Sequence, residues 1–305
     1  MKKRTKRLLA LPVIGAAFFT EELYRYVFRK NSSKLFIRLF DSKGHEEEYY
    51  EYKKELRDKF DKIDHEVFEM FSGRGDDLKG FYYDNGSNGK KIAFIIHGYR
   101  SNHADTTSMY YDLYKERGID VFTCDHTAAG DSDGDYIGFD VLESEDCLRW
   151  INFLKKKFGE DIEIILHGFS MGAATVMQMS SRCPLNVKFI VEDSGYINAK
   201  ASLDSQVGIM YEPLRLINKF FGRYDLNDSD VTKSLSKSRI PMLFVHGKED
   251  KLVPYENGPK LFEMYKGEKD NFFPENTRHI EAIYTEPEEY GRKIDNFIEK
   301  YLEEN

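Results

Sequence analysis

Ser170 follows Ile162-Glu163-Ile164-Ile165-Leu166-His167-Gly168-Phe169, an apolar strand pattern, and precedes Met171-Gly172-Ala173-Ala174-Thr175-Val176, a helix start. Strand, Gly-x-Ser-x-Gly and helix make the layout that a serine nucleophile needs. Its hydroxyl has to stand clear of the sheet on a sharp turn, and Gly168 and Gly172 supply the clearance. Amides at the start of the helix favour negative charge developing on a substrate oxygen. A serine in this position also has a plainer use, as a helix N-cap with nothing to attack.

A hydroxyl needs a base to become a nucleophile, and the base needs an orienting acid. The chain offers both downstream of Ser170. The strand pattern Ile240-Pro241-Met242-Leu243-Phe244-Val245-His246-Gly247 leads into Lys248-Glu249-Asp250-Lys251-Leu252-Val253-Pro254. Asn276-Thr277-Arg278-His279 then precedes a C-terminal helix. Of the eight histidines, only His279 follows every candidate acid. Asp250 is one such acid; Asp193, after Phe189-Ile190-Val191, is the other. His97, His167 and His246 each precede a glycine at a strand end, which suits loop shaping, with His167 a candidate for lining the pocket.

Taken together these segments resemble the α/β-hydrolase superfamily, in its bacterial esterase and serine aminopeptidase-like branch. The resemblance runs over roughly residues 65–303. It implies Ser170 as nucleophile, His279 as general base and Asp250 as the carboxylate in an H-G-x-x-D-x-x-V-P segment. It leaves Asp193 open as a rival, since some members take the acid from the preceding strand. Ile92-Ala93-Phe94-Ile95-Ile96-His97-Gly98-Tyr99 looks like the family's oxyanion strand, with the backbone N–H groups of Tyr99 and Met171 as donors. Asp125-His126-Thr127-Ala128-Ala129-Gly130-Asp131-Ser132-Asp133-Gly134 is similar to the loop D-x-R-G-x-G-x-S-x-G, although Thr127 stands where arginine is usual. The implied activity is ester cleavage through an acyl-enzyme, without metal or organic cofactor. A peptidase or aminopeptidase of the same fold is the first alternative. A catalytically silent, membrane-tethered ligand-binding protein is the second.

The elements that must position these residues are legible as alternation. Residues 65–71 and 78–83 flank Gly73-Arg74-Gly75-Asp76-Asp77, a hairpin signal in which Arg74-Gly75-Asp76 is a turn and not an adhesion motif. Helix is expected near 104–117 and over 142–158, strand over 119–124 and 187–192. Strands alternating with helices predict a mostly parallel sheet covered on both faces, with ligands at the carboxyl ends of its strands. The alternation stops near 196–239, where Leu203, Val207, Ile209, Met210, Leu214, Leu216, Ile217, Phe220 and Phe221 suggest amphipathic helices. In the family this point holds a short helical cap, whose apolar face serves either an acyl pocket or the sheet below. Asp131 to Asp135 is not a calcium loop, because Tyr136 and Leu142 occupy the positions needing Gly and Glu.

The expected organisation is a basic and apolar segment over 1–30, a charged helical lead-in over 31–62 and one hydrolase-like domain over 63–305. Lys2, Lys3, Arg4, Lys6 and Arg7 precede an apolar run over 8–19 that as a helix spans only about 18 Å, short of a ~30 Å hydrocarbon core. Export, a membrane contact through 8–19 and a cytoplasmic location all fit that segment, with export or membrane association preferred. Residues 20–62 suit a solvated helix pair. A net charge of −8 carries no footprint for nucleic acid, and a small acyl ester or peptide is the expected partner. Cys124, Cys147 and Cys183 lack C-x-x-C spacing and fit reduced core thiols.

Overall fold

The computed structural model describes residues 17–30 and 46–302. The expectations for 1–16 and 31–45 therefore lie outside the described residues. Among the described residues no helix is long and apolar enough to cross a membrane.

The chain forms helix α1 over 17–28, α2 (Glu47–Phe60), the hairpin β1 (Glu66–Phe71) and β2 (Asp77–Tyr83), then β3 (Lys91–Ile96). It continues with α3 (His103–Lys115), β4 (Asp120–Cys124), α4 (Val141–Phe158), β5 (Glu163–Phe169), α5 (Met171–Met179) and β6 (Val187–Asp193). The inserted region holds α6 (Ala199–Val207), α7 (Tyr211–Phe221) and the short α8 (Thr232–Leu235). After it come β7 (Met242–Val245), α9 (Asn257–Met264), β8 (Lys269–Phe272), α10 (Ala282–Thr285) and α11 (Pro287–Tyr301). Eight strands make one sheet in the order β1-β2-β4-β3-β5-β6-β7-β8. The pairs β1–β2 and β2–β4 are antiparallel, and every pair from β4 to β8 is parallel.

β5 explains why the central strands are mostly apolar. Ile164 and Leu166 point to one core, with Trp150 of α4 and Ala174 of α5, while Ile165 and Phe169 point to the other, with Tyr110 of α3 and Tyr290 of α11. Alternate side chains leave opposite faces of a strand, so a sheet covered on both faces favours hydrophobes on both. Caps fix the helix starts. The Asn102 side chain accepts from the backbone N–H groups of Ala104 and Asp105, and that of Asn198 accepts from Ala201.

Two expectations change here. The described part of residues 20–62 is not wholly solvated: α1 buries Leu23, Tyr24, Val27 and Phe28, and α2, otherwise largely exposed, buries Tyr49 and Phe60 against the body. Dense charge hid the stripe on each helix that pays for its docking. The insertion also divides its apolar residues in a third way. Leu203, Val207, Tyr211 and Leu214 join the core, whereas Ile209, Leu216, Phe220 and Phe221 face solvent, Ile209 at 95% exposure.

Buried carboxyls at the start of α4 give stability a pH dependence. Glu143 is fully buried and accepts from the backbone N–H of Gly138 at 2.7 Å. Burial pushes its pKa up to about 7, and the backbone hydrogen bonds offset only part of that shift. An unfolded glutamate titrates near 4.3. The folded state thus binds the extra proton between about pH 4 and 7, so this group's contribution is full below that window and lost as pH rises through it. Glu143→Gln is expected to narrow the loss of unfolding free energy between pH 5 and pH 8 by roughly 1–3 kcal/mol. Denaturant melts of both proteins at the two pH values measure it, and an unchanged difference would contradict the assignment.

Candidate active site

Ser170 lies at the carboxyl end of β5 with φ 54° and ψ −113°, a conformation that non-glycine residues rarely adopt and that costs about 1–3 kcal/mol. Its side chain makes no capping bond, so the N-cap reading of this serine does not hold. Its backbone N–H donates to the Asp193 carbonyl at 2.8 Å, and its own carbonyl accepts from Ala174 at 3.0 Å. The flanking glycines are sterically required. A Cβ on Gly172 would sit 2.1 Å from the Ile96 carbonyl oxygen, and one on Gly168 would sit 2.2 Å from that of Gly172. The turn is therefore wedged between β3 and the start of α5.

His279 lies on the loop after β8 and Asp250 on the loop after β7, and the two meet. His279 Nδ1 is 2.6 Å from Asp250 Oδ2. The carboxylate's Oδ1 accepts from the backbone N–H groups of Leu252 and Val253, each at 2.9 Å. His246 Nε2 donates to the Val253 carbonyl at 2.9 Å and lies 3.3 Å from Asp250 Oδ2. Burial alone would raise the Asp250 pKa. The His279 charge and the hydrogen bonds from His246 and His279 outweigh burial and hold the carboxyl well below its usual range. An ionised Asp250 accepts Nδ1–H, which leaves the His279 Nε2 lone pair free to take a proton.

Asp193 has other work. Ser194 Oγ donates to its Oδ1 at 2.8 Å and Tyr290 Oη to its Oδ2 at 3.1 Å. Burial pushes its pKa up to about 6 against these bonds and the nearby His246 and His279 charges. It nevertheless ties the site together. Its carbonyl holds Ser170 N–H, while the Ile280 N–H donates to Ser194 Oγ at 3.4 Å. Ser170 and His279 are thus anchored to adjacent residues at the end of β6.

The loop after β3 passes beside the turn. A Cβ on Gly98 would lie 3.3 Å from Ser170 Cβ, which puts the backbone leading to Tyr99 alongside the serine. Met171, first residue of α5, lines a cavity of about 210 Å³ with Lys30, His97, Arg100, Asn102 and His126. Neither Ser170, Asp250 nor His279 lines that cavity; it adjoins the serine turn through Met171. No carboxylate is among its described lining residues.

What the sequence did not disclose is how α1 holds this loop. Tyr99 Oη is 3.0 Å from the carbonyls of Tyr26 and Val27, and the Arg100 guanidinium donates to those of Tyr26 and Arg29. Lys30 Nζ donates to the carbonyls of Gly130 and Ser132 on the neighbouring loop. The carbonyl groups at a helix C-terminus are unpaired and partly negative, so Arg100 and Tyr99 satisfy them while fixing their own loop. An arginine after the Gly-Tyr of the β3 loop was the one available signal. His167 is a correction in the other direction. It does not line a pocket but lies fully buried, with Tyr114 Oη and Tyr290 Oη each 2.8 Å from its ring nitrogens. Thr127 turns its hydroxyl to the buried Asp146 at 2.9 Å.

Comparison with known proteins agrees with this architecture. The family described as serine aminopeptidase, S33 matches residues 87–237. The esterase Pf2001 of Pyrococcus furiosus superposes with a TM-score of 0.66 at 23% identity, covering 82% of this chain and 94% of that one. Est1E of Butyrivibrio proteoclasticus, with ferulic acid bound, gives 0.62 at 19% identity, covering 77% and 99%. The chain has the α/β-hydrolase fold, and over residues 87–237 it is similar to a serine hydrolase family built on that fold. Among curated sequences it is similar to uncharacterized protein YqkD of Bacillus subtilis strain 168, 24% identical over 300 residues, 95% of this chain and 94% of that protein. It is also similar to alpha/beta hydrolase domain-containing protein 17B of Xenopus tropicalis, 21% identical over 239 residues, 78% of this chain and 76% of that protein.

Proposed function

We propose that the protein is a serine hydrolase that cleaves carboxylic esters of small molecules through an acyl-enzyme on Ser170. The observation that carries this reading is the 2.6 Å bond from His279 Nδ1 to Asp250, at the same end of the sheet as Ser170. His279 Nε2 takes the Ser170 proton as Oγ attacks the substrate carbonyl carbon. Backbone N–H groups of Met171 and Tyr99 hold the oxygen as it gains negative charge. The tetrahedral intermediate collapses, and His279 returns the proton to the departing alcohol. Water, deprotonated by the same nitrogen, then releases the acid. Such a cycle uses this chain's own side chains and backbone.

The match to a family described as serine aminopeptidase favours a second reading. An aminopeptidase has to bind a free ammonium group. The cavity beside Met171 instead carries Lys30 and Arg100 and no described carboxylate, which suits neutral or acidic substrates better. Turnover of p-nitrophenyl acetate and butyrate beside that of leucine and alanine p-nitroanilides tests the choice. Ester kcat/KM at least 100-fold above anilide kcat/KM is expected. Anilide turnover in excess would establish the aminopeptidase instead. Turnover of neither substrate class, together with failure of a fluorophosphonate to label the folded protein at Ser170, would favour the silent ligand-binding reading.

A further inference from the structure

We propose that Cys124, His126 and Cys147 form a binding site for a zinc ion beneath the active-site end of β4. Cys124 closes β4, His126 stands two residues further on, and Cys147 lies on the inner face of α4. Residues two apart along an extended segment leave it on the same side, so the strand end presents sulfur and imidazole together to the helix that crosses it. The three donor atoms all lie within 4.8 Å of one another. Around one zinc ion, with Zn–S near 2.3 Å and Zn–N near 2.0–2.1 Å, tetrahedral donors stand roughly 3.5–3.8 Å apart. Small side-chain rotations close that difference.

The histidine supplies an independent observation. His126 is 2% exposed, its Nε2 is 3.3 Å from the His97 carbonyl, and its Nδ1 is buried with no hydrogen-bond partner. A carbonyl only accepts, so Nε2 carries the proton and Nδ1 carries a lone pair. Leaving such an acceptor buried and unmatched costs about 1–3 kcal/mol. A metal ion satisfies it directly. The bond from Nε2–H to a backbone carbonyl is also the usual second contact of a metal-binding histidine, fixing tautomer and ring orientation. The neighbouring His97 is itself held, its Nε2 accepting the His126 backbone N–H at 3.1 Å.

Donor type and charge select the ion. Two sulfurs and an imidazole exclude calcium and magnesium, which take oxygen ligands. Binding converts both thiols to thiolates and releases two protons, so Zn²⁺ with two thiolates and a neutral imidazole carries no net charge. Cu⁺ would leave one uncompensated negative charge among buried Trp150, Phe122 and Ile151, a costly arrangement. His126 also lines the 210 Å³ cavity beside Met171, which places one ligand of the site at a solvent-accessible wall. The site is independent of the esterase reading. Its ligand set was hidden in the sequence because Cys-x-His is completed by a residue from a different element.

The test is zinc binding to the full chain, reduced and stripped of metal with a chelator. Native mass spectrometry is expected to show one zinc per chain, with a mass gain equal to one zinc less two hydrogens. Titration with Co²⁺ is expected to give the thiolate-to-cobalt charge-transfer band and the strong visible bands of a tetrahedral site, both abolished by Zn²⁺. Cys147→Ala and His126→Gln should weaken binding at least 100-fold, while Cys183→Ala, which alters the thiol outside the cluster, should leave it intact. Should the first two variants misfold by circular dichroism, the proton stoichiometry and the cobalt spectrum of the wild-type and Cys183→Ala proteins decide alone. No thiolate band at one equivalent of Co²⁺, loss of binding in Cys183→Ala, or Cys124 and Cys147 joined as a disulfide that binds no zinc after reduction would each overturn the proposal.

Discussion

Replacing Ser170 by Ala is expected to lower kcat for p-nitrophenyl acetate by about 10⁴-fold or more and to abolish labelling by a fluorophosphonate. The substitution is a clean probe because it removes only Oγ. Alanine keeps the Cβ, so the turn at φ 54° and the backbone bonds to Asp193 and Ala174 are retained at similar strain. The unfolding midpoint should move little, which separates lost chemistry from lost structure. Residual turnover would come from the backbone donors and from binding alone. A Ser170→Ala protein with ester turnover within tenfold of wild type would remove the acyl-enzyme from consideration.

Asp250→Asn is expected to reduce kcat by about 10³–10⁴-fold with KM little altered, and the local hydrogen bonds give the reason. Leu252 and Val253 both donate to Oδ1, so an asparagine places its carbonyl oxygen there. Its NH₂ then occupies the Oδ2 position, facing His279 Nδ1 and His246 Nε2. A donor at that point forces His279 into the tautomer with Nε2 protonated, which has no lone pair for the serine proton. Asp193→Asn is the matched control. Asp193 bonds to Ser194 and Tyr290, so its loss should cost less than about tenfold in kcat. Its carboxyl is raised to about 6 by burial, so the wild type loses this group's stabilisation as pH rises from about 4 to 6. The Asn variant should lack that decline. Steady-state kinetics at pH 8 and denaturant melts at pH 5 and 8 read both effects. A larger kcat loss in Asp193→Asn than in Asp250→Asn would reassign the acid.

The sequence by itself determined the order of strands and helices from residue 65 onward, because burial on both faces of a sheet writes short, largely apolar runs such as 92–96 and 164–166, too short for a helix and bounded by glycine. It also marked the serine turn, since no residue but glycine fits 2.1 Å from the Ile96 carbonyl. The D-x-x-V-P context already put Asp250 ahead of Asp193, but the contact with His279 itself is made only in the tertiary structure. Both stand after apolar strands, and only the folding back of the 276–281 loop decides which carboxylate the imidazole reaches. The docking of α1 on the β3 loop was hidden for a related reason. Its contacts use helix-end carbonyls, which every helix has and no side-chain pattern announces. The grouping of Cys124, His126 and Cys147 joins a strand end to a helix face, a proximity set by packing distance and not by spacing along the chain.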